Sequence, residues 1–168
     1  MKKIRNMVRA SLFASLCAVC AWIAIPIPPI AVTLQTFALL LALGTLGGRW
    51  GTVTIGLYLL LGLVGLPVFS GFQGGAAVLL GPTGGFLWGF LAAALVYWLV
   101  QGLGNLTAMA AAMAVCYLCG CLWFSHYAGA GLAESFAVCV LPYLIPDALK
   151  LWLAWSVSRR LRKYIRYA

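Results

Sequence analysis

Acidic residues are almost absent from this chain. Glu134 and Asp147 are its two acidic side chains, and His126 is its one histidine. General acid–base catalysis needs titratable groups held as a matched pair, so this composition argues against an enzyme. No lysine occurs between Lys3 and Lys150, whereas a phosphate-binding loop of the GxxxxGK[ST] kind requires one. We therefore expect no ATP hydrolysis by this chain.

Charge of either sign is scarce along the whole sequence. Charged residues make up 8% of the 168 residues and hydrophobic residues 65%, with a mean hydropathy of +1.06. One small core cannot hide so many apolar side chains, so lipid must solvate much of the surface. The composition predicts a single all-α integral membrane domain over residues 1–168.

The cations flank the hydrophobic runs instead of forming a patch. Of the eleven lysines and arginines, four lie before or at the start of the first run, Arg49 lies in a short connection and five follow the last run. Such a distribution is a topology signal under the positive-inside rule, and it adds attraction to anionic lipid. We predict both termini on the cytoplasmic side, with the lipid bilayer and not nucleic acid as the partner of these charges.

Six hydrophobic runs predict six transmembrane segments. The second run is short, about 13 residues against the roughly 20 that cross a bilayer untilted, so we expect the proline-rich residues 26–30 to fold back and complete it. Residues 66–85 form an uncharged, glycine-rich outer loop. The six predicted segments are residues 7–25, 33–46, 50–66, 84–100, 106–124 and 136–157.

Small residues repeat along the first segment. Ala10, Ala14 and Ala18 follow one another at four-residue spacing, which lets another helix approach closely. The spacing alone favours packing within this protein over a docking surface for a partner helix. Two CxxC spacings also occur, but their apolar neighbours and the lack of a nearby histidine indicate small buried hydrophobes and no metal or redox site.

Asp147 and Lys150 are the strongest candidates for a binding site. They lie three residues apart in the last hydrophobic run, hence on one helix face. Each costs about 2.5–3.5 kcal/mol at bilayer depth. Asp147 and Lys150 either only neutralise each other's charge or bind a ligand. An ion pair with no ligand to bind could be replaced by leucines with little loss of stability. We therefore favour a ligand-binding role for the two residues.

Other polar and aromatic groups are positioned to complete a small-molecule pocket, which combines apolar walls with a few convergent polar groups. Tyr143 lies one turn before Asp147, and the remaining candidates lie in or beside the two outer loops, where Gly74 would offer its backbone. The candidates from these loops are Thr33, Gln35, Phe69, Gln73, Gly74, Thr83 and Phe86.

Four motifs give the chain a family resemblance. They are TLQT at 33–36 after the proline-rich segment, GLPVF at 65–69, GPTGGF at 81–86 and PDALK at 146–150. In this order they resemble the BioY family, the biotin-specific substrate-binding (S) components of energy-coupling factor (ECF) transporters. The resemblance implies the six-helix S-component fold, biotin as transported ligand and no cofactor. It also implies an energising module of two ATPase subunits and a transmembrane coupling protein.

The resemblance also implies roles for individual residues. Asp147 would accept a hydrogen bond from a ureido N–H of biotin, and Lys150 would donate one to the ureido carbonyl. Ala10, Ala14 and Ala18 would contact the coupling protein, which reverses the interpretation from spacing. No cation lies between residues 67 and 89 for the biotin carboxylate, so glycine N–H groups or the hydroxyl of Thr83 are expected there. The alternatives are an S component for another vitamin and a structural membrane subunit.

Overall fold

The computed structural model describes residues 2–26 and 30–167. Within these ranges the chain forms seven α-helices, one two-stranded hairpin and three short 3-10 turns at Ser70–Phe72, Gln101–Leu103 and Leu141–Tyr143. The elements run in the order α1 (Lys2–Trp22), β1 (Ala24–Ile25), β2 (Val32–Thr33), α2 (Gln35–Leu63), α3 (Ala76–Leu80), α4 (Gly84–Val100), α5 (Asn105–Ala128), α6 (Leu132–Cys139) and α7 (Leu144–Tyr167).

Five helical segments in the described part of the chain are long and apolar enough to cross a membrane. This is the architecture of a multi-pass membrane protein, as the composition predicts. The orientation with both termini inside stays a prediction. The five segments are Lys3–Trp22, Gln35–Leu63, Gly84–Leu103, Asn105–Ala128 and Leu132–Tyr164.

Helix α2 consists of two arms that meet at Gly47. The backbone there has φ 79° and ψ 172°, a conformation that glycine adopts at little steric cost. A Cβ on Gly51 would lie 2.7 Å from a methyl group of Leu43, although eight residues of straight helix span about 12 Å. The arms therefore fold against each other, as the second and third predicted segments require. The predicted connection between the second and third segments is longer than the break in the structure, because the helix resumes at Gly48.

Two short strands pair on either side of the proline-rich segment. Strands β1 and β2 pair antiparallel, with Ala24 opposite Thr33 and Ile25 opposite Val32. Residues 27–29 between them lie outside the described ranges. The prediction that this segment completes the second span therefore falls on residues outside the described ranges and stays a prediction. The hairpin leads directly into α2 and sets Thr33 and Gln35 beside each other at its start.

The last predicted segment is broken where a continuous helix was expected. Helix α6 ends at Cys139, a 3-10 turn follows over Leu141–Tyr143, and α7 begins at Leu144. Pro142 lies in that turn and Pro146 in the first turn of α7, where a missing N–H costs little. The break places Asp147 in the first turn of α7.

Helix α2 lies at the centre of the bundle and packs against α1, α4 and α7. Residues 38–45 of its first arm are all buried, as expected for a helix that is apolar all round. Helix α4, whose bounds match the predicted fourth segment, packs closely along α5. A Cβ on Gly85 would lie 2.1 Å from the Cβ of Trp123, so only glycine allows this approach.

Helix α1 turns its alanine repeat inward. Ala10, Ala14 and Ala18 are 2%, 1% and 7% exposed, whereas Ser11 and Ser15 beside them are exposed. The protein's own packing covers the three alanines, and the docking role implied for them by the resemblance stays a prediction. Their burial agrees with packing within the chain, which is the interpretation that the spacing favoured.

Candidate ligand-binding site

A cavity of about 330 Å³ lies between the helices, the hairpin and the glycine-rich loop after α2. Its volume is at the lower end of the roughly 300–1,000 Å³ that small-molecule sites occupy. The lining comes from the hairpin and its connection, from helices α2 to α7, from the loops on either side of α3 and from the 3-10 turn before α7. Nine of the ten predicted ligand-binding residues line it: Thr33, Gln35, Phe69, Gln73, Thr83, Phe86, Tyr143, Asp147 and Lys150.

Asp147 and Lys150 form an ion pair at the polar end of this cavity. The Lys150 Nζ lies 2.6 Å from Asp147 Oδ1, and the residues are 8% and 3% exposed. Lys150 also donates a hydrogen bond of 2.7 Å to the carbonyl oxygen of Thr33. The lysine therefore joins α7 to the end of the hairpin.

The Asp147 carboxylate receives two further hydrogen bonds from other helices. Thr36 Oγ1 on α2 donates to Oδ1 at 3.0 Å, and the Tyr117 hydroxyl on α5 donates to Oδ2 at 2.6 Å. A buried charge is tolerated only where paired and hydrogen-bonded groups compensate its lost hydration. Donors from α2, α5 and α7 together provide that compensation.

Gln35 and Tyr58 connect α2 to the loop over the cavity. The Gln35 amide donates to the Tyr58 hydroxyl at 2.6 Å, and that hydroxyl donates to the Val68 carbonyl at 3.0 Å. The Tyr58 ring meets Phe69 edge-on at a centroid distance of 5.6 Å. These contacts hold Phe69, which is 1% exposed, in the cavity wall.

The same loop is also attached to the end of α1. The Trp22 indole stacks on Phe72 with centroids 4.9 Å apart, and its Nε1 donates to the Pro67 carbonyl at 2.8 Å. On the other side, the Tyr143 hydroxyl donates to the Ile30 carbonyl of the hairpin connection. The loop is thus tied to the end of α1, and the hairpin connection to the 3-10 turn that precedes α7.

Gly74 is the one predicted residue that does not belong to the lining. A Cβ on Gly74 would lie 2.2 Å from the Leu66 carbonyl oxygen, so the residue is packed against the loop's own backbone. Glycine is required here because any side chain would collide with that backbone. The position of Gly74 therefore gives no reason to expect a contact with a ligand.

Sequence reasoning missed the contribution of α5. Met113, Cys116 and Tyr117 line the cavity and recur at the spacing of one helix face. Their segment is apolar throughout, so periodicity does not separate a lipid-facing side from a cavity-facing one. Tyr117 was the one available signal, because a hydroxyl at this depth usually needs a hydrogen-bond partner.

A second polar cluster joins the helices near their other ends. Arg162 on α7 donates to the Tyr97 hydroxyl at 2.9 Å, to Asn105 Oδ1 at 3.1 Å and to the Gly44 carbonyl of α2. Asn105 in turn donates to Ser158 at 3.1 Å. None of these residues lines the cavity, so the cluster connects α2, α4, α5 and α7 independently of it.

Known proteins resemble this chain over nearly its full length. A family model described as the BioY family matches residues 1–167. The biotin transporter BioY of Thermotoga maritima is 36% identical over 165 residues, 95% of this chain and 97% of that protein. The probable biotin transporter BioY of Pyrococcus horikoshii is 36% identical over 160 residues, 95% of this chain and 98% of that one.

A solved structure extends the likeness to the fold. The S-component for biotin from an ECF-type ABC transporter superposes on this chain with a TM-score of 0.90. It is 28% identical in sequence, and the match covers 96% of this chain and 93% of that one. The likeness therefore extends over nearly the whole fold.

Proposed function

Because this chain belongs to the BioY family, we propose that it binds biotin and serves its uptake as the S component of an ECF-type transporter. The single observation that carries the proposal is the cavity itself, which combines one polar end with apolar walls inside a bundle of membrane helices. The chain is then a substrate-binding subunit in the cell membrane and not an enzyme.

The polar end of the cavity suits the ureido ring of biotin, which offers two N–H donors and one carbonyl acceptor. An ionised carboxylate has about four acceptor positions and an ammonium has three donors. Asp147 uses three positions within the protein, and Lys150 uses two. One acceptor and one donor remain, so Asp147 accepts from a ureido N–H and Lys150 donates to the ureido carbonyl.

The apolar walls suit the rest of the biotin molecule. Leu39, Leu87 and Phe90 line the cavity together with Phe69 and Phe86, and such surfaces favour a thioether ring and an aliphatic chain. Aromatic rings also make favourable contacts with sulfur. The bicyclic head of biotin therefore binds between the aromatic residues and the polar end.

The valerate carboxylate needs partners at the loop side of the cavity. Lys150 is the one cation among the described residues that line it, and the ureido carbonyl already uses that donor in our proposal. Gln73, Thr83 and Ser70, in the segments on either side of α3, supply neutral donors in the lining. The carboxylate is therefore bound by hydroxyl and amide groups, with water at the mouth as a further partner.

Transport requires the membrane-embedded and ATP-hydrolysing partners of an ECF transporter. Since the alanine repeat of α1 is buried, we place the contact with the transmembrane coupling protein on the exposed side of the same helix. Ser11 and Ser15 repeat there at four-residue spacing, which lets a second helix approach closely. Two ATPase subunits would then act through the coupling protein.

Equilibrium binding of radiolabelled biotin to the purified, detergent-solubilised chain tests the proposed ligand. We expect saturable binding below micromolar concentration, with unlabelled biotin as competitor and riboflavin as the non-competing control. Competition by a different vitamin would indicate an S component of other specificity. Absence of saturable binding would contradict the proposal and favour a structural subunit.

A further inference from the structure

Tyr117 occupies a place in the cavity wall that the family motifs do not include. It lies on α5, and its hydroxyl donates to Asp147 Oδ2 at 2.6 Å. The Tyr143 carbonyl is the other acceptor near that hydroxyl, at 3.4 Å. A hydroxyl has one proton to donate, and 2.6 Å is the distance of a strong bond to a charged acceptor. The proton therefore goes to Asp147.

This bond decides how the carboxylate of Asp147 is oriented. Lys150 and Thr36 both donate to Oδ1, which leaves Oδ1 without a free acceptor position. Tyr117 is the one donor to Oδ2 among the described residues. Without Tyr117, nothing in the described protein would hold Oδ2, and the two bonds to Oδ1 alone would limit rotation of the carboxylate about its Cβ–Cγ bond.

We infer that Tyr117 is a positioning residue for ligand recognition, which fixes the plane of the Asp147 carboxylate so that the free acceptor position on Oδ2 meets a ligand N–H. The inference rests on the proposed function for the identity of that ligand. Thr36 supports the same arrangement from α2, at the longer distance of 3.0 Å. The two hydroxyls orient the carboxylate from opposite oxygens, and Lys150 supplies the countercharge.

Substitution of the hydroxyl alone tests this inference. Tyr117→Phe should weaken biotin binding about tenfold, the loss expected for one hydrogen bond to a charged group. Tyr127→Phe is the matched control, since Tyr127 lies on the same helix, is 55% exposed and does not line the cavity. An unchanged affinity of Tyr117→Phe for biotin would overturn the inference. The proposed function would still stand in that case, provided that the wild-type chain binds biotin.

A double-mutant cycle separates positioning from simple filling of space. On an Asp147→Asn background, Tyr117→Phe should cost less than about twofold, because the carboxylate through which Tyr117 acts is already gone. A full tenfold loss on that background would show that Tyr117 acts directly on the ligand or on cavity shape. Thr36→Val provides a second cycle with the same expectation, should Tyr117→Phe fail to fold.

Infrared spectroscopy provides a readout that does not depend on any ligand. The chain has two acidic side chains, Glu134 and Asp147, so a Glu134→Gln background isolates the Asp147 carboxylate among side chains. Tyr117→Phe should shift its stretching band, and Tyr127→Phe should not. An unshifted band would contradict the contact. If the wild-type chain binds no biotin, the proposed function fails and this band still decides the role of Tyr117.

Discussion

The ammonium group of Lys150 lies 2.7 Å from the carbonyl oxygen of Thr33, and this bond joins α7 to the hairpin that precedes α2. Lys150 therefore has two roles, as countercharge for Asp147 and as anchor for the covering hairpin. A ligand carbonyl that accepts a hydrogen bond from the same ammonium group is therefore linked through Lys150 to both α7 and the hairpin. This connection makes separate predictions possible for stability and for binding.

Removal of either charge should affect stability and affinity together. Asp147→Asn and Lys150→Ala each leave a buried charge without its partner, a loss of about 3–5 kcal/mol in stability, and each should weaken biotin binding at least tenfold. The double substitution by leucine should recover most of the stability but none of the affinity. Thermal unfolding in detergent and equilibrium binding measure the two effects. Retained affinity in the double variant would show that the pair serves packing alone.

The attachment of the covering loop should control how long biotin stays bound. Trp22→Ala removes both the stacking on Phe72 and the bond to Pro67, so we expect release of biotin to accelerate about tenfold. Trp22→Phe keeps an aromatic ring and should have a smaller effect. Trp152→Ala, at an exposed position of α7, is the control. Dissociation of labelled biotin during a chase measures the rate, and equal rates in all variants would contradict the prediction.

The exposed side of α1 should matter for uptake and not for binding. Ser15→Trp should lower biotin uptake by cells at least tenfold and spare binding by the isolated chain, because a bulky ring prevents close approach of a helix. Ala14→Trp should abolish both, since Ala14 is 1% exposed. Leu99→Trp, 83% exposed on α4, is the control. Normal uptake with Ser15→Trp would place the coupling protein elsewhere.

The Arg162 cluster should contribute to stability without contributing to binding. Arg162→Ala removes the charged donor shared by Tyr97, Asn105 and the Gly44 carbonyl, and we expect a loss of about 2–3 kcal/mol in stability. Arg162→Lys should not restore this stability, because an ammonium group lacks the planar set of donors with which a guanidinium group reaches several acceptors. Arg160→Ala, at an exposed position of the same helix, should be close to neutral. Thermal unfolding measures the stability of each variant. Equal losses of stability for Arg160→Ala and Arg162→Ala would contradict the prediction.

Local sequence signals predicted the elements that depend on neighbours along the chain. The bounds of α4 follow from one uninterrupted apolar run between glycine and glutamine. The pairing of Asp147 with Lys150 follows from helical spacing, because residues three apart share a face. The break before α7 was not predicted, because the hydrophobicity of residues 136–157 is continuous and prolines 142 and 146 fit either a broken or a loosened helix.

Composition and charge distribution alone determined that this chain is a membrane protein, and its motifs determined the family. Tertiary structure decided which side of each helix faces the cavity. In lipid, apolar residues suit both a protein interior and a bilayer surface, so hydrophobicity does not distinguish them. For this reason only the packed bundle showed that the α1 alanines are buried and that Tyr117 reaches Asp147 across 30 residues of sequence.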